Sequence, residues 1–201
     1  MKKTRRFLSI LLASAMILSS MLCTASAVGP VARSPFAGET ISCKIVDAMT
    51  GDEETIMVSI PKTATVQEQQ NIIHTAAQRD AGISTLRYDP ITTGATRLSY
   101  KHMNMVRNRN YNLGGGTLEG DARVAYVDFI NYDTISADQV TVTFTNVDKG
   151  DSMTRSADVT GSKITLFVFR SEGVDMRKND ELEVRGYANG DLEADVYLSV
   201  T

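Results

Sequence analysis

Seven short segments between residues 95 and 200, each bounded by turn-forming residues, constrain this chain more than any other feature of its sequence. They cover 95–106, 123–132, 138–146, 152–159, 163–170, 181–188 and 192–200. Strand-length segments at that spacing are the pattern of an all-β sandwich. Two of them carry a clear period of two. Val140, Val142 and Phe144 alternate with Thr141, Thr143 and Thr145, and Leu192, Ala194, Val196, Leu198 and Val200 alternate with Glu193, Asp195 and Ser199. Each of these strands is expected to turn one face to the core and one to water. Residues 164–169 are apolar apart from Thr165, which suits a central strand covered on both faces. Asn189, Gly190 and Asp191 read as the turn of a hairpin joining the last two strands, because Asn-Gly favours the tight turns that hairpins need.

Ahead of these segments, 40–48 and 54–60 read as a strand pair joined at Thr50, Gly51 and Asp52, with Pro61 ending the second strand. Residues 65–81 then read as a helix. Thr65 and Glu68 form a capping box, Val66, Ile73 and Ala77 share a face, and Gly82 is placed to end it. The helix is expected to cover one face of a sheet. Its amides Gln67, Gln69, Gln70 and Asn71 are assigned to a solvated face, and His74 to the surface or a half-buried position. The expected fold class is mainly β: an immunoglobulin-like β-sandwich of about seven strands with a small N-terminal ββα unit. The expected organisation is a signal peptide over 1–27, a flexible leader over 28–39, the ββα unit over 40–92 with a possible further strand at 84–88, and the β-sandwich over 93–201.

The signal peptide is read from Lys2, Lys3, Arg5 and Arg6, the apolar run 7–23, and the small residues Ala25, Ser26 and Ala27. Ala25 and Ala27 are the residues of the expected cleavage site, so the chain is expected to be secreted, with no membrane span after cleavage. The leader has the form a bacterial exporter accepts. Removing it leaves 17 basic residues against 24 acidic ones, a net charge of −7, which disfavours nucleic acid and anionic membranes as partners. It also removes Cys23, so Cys43 stands alone and no internal disulfide is available.

The remaining motifs are weak. Gly114, Gly115 and Gly116 are followed by no helical period and no lysine, so the segment 107–120 reads as a connection rather than a phosphate cradle. The run 146–152 lacks the ligand offsets of a calcium loop and reads as a polar hairpin turn. There is no G-x-S-x-G, H-E-x-x-H or C-x-x-C pattern, and no cofactor and no metal is expected. The chain has no tryptophan, so a sugar-binding surface would fall to Tyr100, Tyr111 and Tyr187. The expected function is a secreted, non-catalytic binding or adhesion module for an extracellular polymer, such as a polysaccharide, or for a protein. One alternative is a cell-envelope hydrolase with Cys43 as nucleophile and His74 or His102 as base. Another is a structural subunit that assembles through an exposed strand edge.

Overall fold

The structure is a computed structural model and describes residues 32–80, 95–133 and 136–201. The signal segment with Ala25 and Ala27, Gly82 and the segment 84–88 lie outside the described residues. Residues 33–201 cluster as one compact unit.

The described elements, in chain order, are β1 (Thr40–Asp47), β2 (Glu53–Ser59), α1 (Val66–Asp80), β3 (Thr96–Met105), β4 (Tyr111–Thr117), β5 (Val124–Asp133), β6 (Gln139–Asn146), β7 (Ser152–Asp158), β8 (Ile164–Arg170), β9 (Glu181–Ala188) and β10 (Leu192–Val200). They form a mainly β fold of two sheets. A six-stranded sheet runs β2-β1-β8-β5-β10-β3, and a four-stranded sheet runs β4-β9-β6-β7. The ten strands correct the count of seven in the sandwich and two in the hairpin. The added strand is β4, in the segment expected to be a connection. Its three glycines erase the side-chain alternation, and two of them would crowd a neighbour if they carried a Cβ. At Gly114 that atom would stand 2.3 Å from Ser99 Oγ, and at Gly115 2.5 Å from the Leu182 carbonyl oxygen. Glycine is therefore what lets β4 press against both β3 and β9.

Two apolar layers flank the six-stranded sheet. Between the sheets, Val127, Phe129, Phe167, Phe169 and Val196 meet Val142, Phe144 and Val184. Phe144 stacks on Phe169 at 4.9 Å between ring centroids, and Phe129 meets Phe167 edge-on at 5.9 Å. On the other side, Ile73 and Ala77 of α1 pack with Cys43, Ile45, Leu166 and Val168. β8 is buried on both faces, as its almost wholly apolar run requires, and Thr165 is buried with it. β1 runs parallel to β8, which places the N-terminal strand pair in the same sheet as the later strands. Phe36 is buried in the helix-side core and Ser34 is also buried, so this part of the expected leader is packed.

The helix begins where its capping box says it should. The Thr65 N–H donates to Glu68 Oε2 at 2.8 Å, and the Glu68 N–H donates to Thr65 Oγ1 at 3.2 Å. The same bond from the Thr65 backbone holds the Glu68 carboxyl below its ordinary range. Its amides depart from expectation: Gln69 and Gln70 are fully buried beneath the helix. Asn189-Gly190-Asp191 also differs, since β9 and β10 belong to different sheets and the segment crosses between them. Asn189 Oδ1 accepts the N–H groups of Asp138 and Gln139 at 2.9 Å each. A Cβ on Gly190 would stand 2.2 Å from the Ser136 carbonyl oxygen. The Asn-Gly pair thus serves a tight crossover. At 146–151 the polar turn forms as expected, with Asn146 Oδ1 accepting the N–H groups of Asp148 and Lys149 and Gly150 at a φ of 75°.

Candidate functional site

The polar residues of β10 define the site. The sequence placed Asp195 and Ser199 on a wet face, yet Asp195, Tyr197 and Ser199 are all buried on the helix side of the six-stranded sheet. The cause is position: β10 lies between β5 and β3, so its side chains on this face are flanked on both sides by those of neighbouring strands. Strand register sets three rows across β5, β10 and β3. They are Tyr126–Ser199–Arg97, Asp128–Tyr197–Tyr100 and Ile130–Asp195–His102.

One end of this network is buried under α1. His74 Nε2 lies 3.0 Å from both oxygens of Asp128, and the His74 ring stacks on Tyr126 at 4.0 Å. A carboxylate only accepts, so Nε2 carries the proton. This corrects the surface or half-buried assignment of His74: the helix needs a group to satisfy the Asp128 carboxylate that faces it from β5. Gln70 Nε2 donates to Asp128 at 3.4 Å, while Gln70 Oε1 accepts from Arg97 at 2.7 Å. Burial pushes the Tyr126 phenol upward in pKa, partly opposed by the hydrogen bond with Gln78.

The other end opens to solvent. Tyr100 is 50% exposed and stacks on Tyr197 at 4.8 Å, while the Arg97 guanidinium carbon lies 4.8 Å from the Tyr197 ring centroid. Asp195 gathers three side chains: His102 Nδ1 at 2.9 Å, the Tyr100 hydroxyl at 3.2 Å and the Tyr197 hydroxyl at 3.5 Å. His102 Nε2 also lies 3.5 Å from Glu193 Oε1. Burial raises both tyrosine pKa values, and the Asp195 charge adds to it. The phenols therefore stay protonated and donate to the carboxylate. The result is a shelf of fixed side chains on β10 and β3, with the Tyr100 ring and the His102 imidazole at its surface.

The structure does not bring the three expected ligand-binding tyrosines together. Tyr100 belongs to the shelf. Tyr111, on β4, packs against the core between the sheets, and its hydroxyl accepts the Val106 N–H at 2.9 Å. Tyr187 is exposed on β9, in the four-stranded sheet. Cys43 is fully buried in the helix-side core. Burial, reinforced by the Asp128 charge, pushes its thiol well above the ordinary range, opposite to what a thiolate nucleophile needs. His74 is held by Asp128, and His102 lies four strands from Cys43 in sheet order, a span of about 19 Å at the usual strand spacing.

A shallow cleft of about 460 Å³ opens beside the shelf, where Arg97 and Leu98 of β3 face Leu118, Ala122 and Val200. Among the described residues, no group of three or more His, Cys, Asp or Glu side chains is arranged to hold a metal ion. Nor is any described helix long and apolar enough to cross a membrane.

The shelf was hidden by ambiguity in its residues. Asp128, between Val127 and Phe129, was the available signal: a carboxylate inside an apolar strand must find a partner if it is buried. Asp195 and Tyr197 gave no such signal, since an acid alternating with apolar residues reads equally well as a wet face.

No protein-family model matches this chain, and no curated protein matches it. Among solved structures, a chain from the full particle of Israeli acute paralysis virus heated to 63 degrees is similar with a TM-score of 0.34 and 8% identity, over 69% of this chain and 81% of that chain. A likeness of that size carries no argument about fold or function.

Proposed function

We propose that this chain is a secreted, non-catalytic binding module that recognises an extracellular polysaccharide through the shelf on β10 and β3. The observation that carries the reading is Tyr100, a half-exposed ring stacked on buried Tyr197 and tied to buried Asp195. An aromatic ring already held in place loses little side-chain freedom on binding. Its free surface suits the apolar face of a sugar ring, and the neighbouring His102 and Glu193 offer hydrogen-bond partners to hydroxyl groups. Binding is favoured over nucleophilic catalysis because Cys43 is buried with its thiol pushed upward and His74 is committed to Asp128.

Secretion in this reading rests on the N-terminal sequence, with its basic start, apolar run and Ala25/Ala27 cleavage site, and bacterial origin rests on the form of that leader. The immunoglobulin-like kinship of the sandwich enters as an analogy from strand spacing alone. The test is a polysaccharide array probed with residues 28–201 as wild type and as Tyr100→Ala. Binding that is lost in the variant supports the reading. Binding that survives unchanged in the variant overturns the surface, and absence of binding to any polysaccharide overturns the ligand class in favour of a protein partner.

A further inference from the structure

Away from the shelf, the seam between β3 and β4 brings together a primary amine, a carboxamide and a carboxylate. Lys101 Nζ on β3 lies 2.5 Å from Asn112 Oδ1 and 2.9 Å from the Asn112 main-chain oxygen on β4. Asn112 Nδ2 donates to Glu183 Oε1 of β9 at 3.0 Å, and the other Glu183 oxygen is held by Arg185 Nε at 2.9 Å. The strands β3 and β4 are edges of different sheets and are not ladder neighbours. The side chains of Lys101 and Asn112 therefore span a junction that backbone hydrogen bonds do not close.

The geometry is close to that of a reaction. With Nζ 2.5 Å from Oδ1 and a carbonyl bond of about 1.23 Å, Nζ can be no more than about 3.7 Å from Asn112 Cγ. Reacting atoms in a near-attack arrangement are about 3–3.5 Å apart, and such placement is worth an effective concentration of about 10⁵–10⁸ M. The seam is open to water rather than sealed in the core, so proximity has to supply most of the advantage. A cross-link forms once per molecule, and a slow step suffices.

We propose that Lys101 and Asn112 form an intramolecular isopeptide bond, with Glu183 transferring the proton. The Lys101 ammonium first gives one proton to solvent. The Nζ lone pair then attacks Asn112 Cγ, the Nζ–Cγ bond forms, and the Cγ–Nδ2 bond breaks. Glu183, already bonded to Nδ2, relays the proton shed by Nζ to that nitrogen, which departs as ammonia. One amine and one primary amide become one secondary amide and one ammonia, with no change of oxidation state. The product staples the two sheets at the seam, on the strand that also carries Tyr100 and His102 of the shelf.

The experiment is intact-mass spectrometry and tryptic mapping of the full chain as isolated from the cells that make it, with its N-terminus determined. The proposal expects a mass lower than the sequence mass by one ammonia, no cleavage after Lys101, and residues 98–107 joined to residues 110–123. Lys101→Arg and Glu183→Gln, each checked for a native near-UV circular dichroism spectrum, are expected to keep the full mass. A full-mass wild-type chain cleaved normally after Lys101, fresh and after prolonged incubation, overturns the cross-link. Complete cross-linking in Glu183→Gln overturns the role of Glu183.

Discussion

Gly115→Ala and Gly116→Ala should separate sharply, although the two residues are adjacent in a run that reads as loop. A Cβ at 115 would stand 2.5 Å from the Leu182 carbonyl oxygen and 3.4 Å from Glu183 Cα, both backbone atoms of β9. Carbon–oxygen contacts settle at about 3.3–3.6 Å, so β4 or β9 must move by roughly 0.8 Å. Neither obstacle is a side chain that could rotate away. The cost expected for such overpacking is about 1–3 kcal/mol. At 116 the nearest atom is Leu98 Cβ at 3.5 Å, an ordinary contact. Alanine there is expected to be neutral or to stabilise by about 0.4–1 kcal/mol, by narrowing the unfolded ensemble. Urea titration followed by far-UV circular dichroism measures both, with an unchanged denaturant slope confirming that the folded state keeps its extent. For a chain of this size the 115 variant should also melt about 2–12 °C lower. Equal stability of Gly115→Ala and wild type would refute the close seating of β4 on β9.

Three further outcomes follow from the same geometry. Asp128→Ala strips the buried partner from His74 and Gln70 and should cost about 3–5 kcal/mol in the same titration; a loss below about 1 kcal/mol would show that the pair does not hold α1 to the sheet. Cys43 should resist a thiol reagent in the folded chain and react at the rate of unfolding, because burial and the Asp128 charge both keep its thiol protonated; prompt labelling without denaturant would contradict its placement. Lys149 Nζ lies 2.8 Å from Asp175 and from Asp180, and these bonds hold both carboxyls below their ordinary range. Their contribution is therefore present at neutral pH and lost as pH falls through the lowered folded-state values, below about pH 4. Lys149→Met should flatten the acid limb of stability against pH, and superimposable acid limbs would rule the contribution out.

The parts of the fold legible in the sequence are those whose signal is local. Thr65 and Glu68 marked the start of α1 because a capping box involves only neighbours, and 164–169 marked a doubly covered strand because no charged residue interrupts it and Thr165 is its one polar side chain. β4 was not legible because glycine carries no side-chain period, and its reason lies in Ser99 and Leu182, far away in the chain. Gln69 and Gln70 looked solvated because amides on a helix suit water as well as they suit a buried partner. In Gln70 the decision belonged to Asp128, 58 residues later. The shelf shows the same limit. Tyr100 could be named as an aromatic candidate, but its stacking on Tyr197 and its bond to Asp195 follow from the β3–β10 register, which alternation alone does not set.

The central claim is that the shelf is a prebuilt contact surface, and its most direct test is the affinity of three chains for a polysaccharide retained by the wild type. Tyr100→Ala should weaken binding about tenfold or more, the loss of about 1.4 kcal/mol that an anchoring aromatic residue carries. Tyr187→Ala, which alters another exposed tyrosine, on the four-stranded sheet, should leave the affinity unchanged. The reverse result, with Tyr187→Ala abolishing binding and Tyr100→Ala matching wild type, would contradict the account.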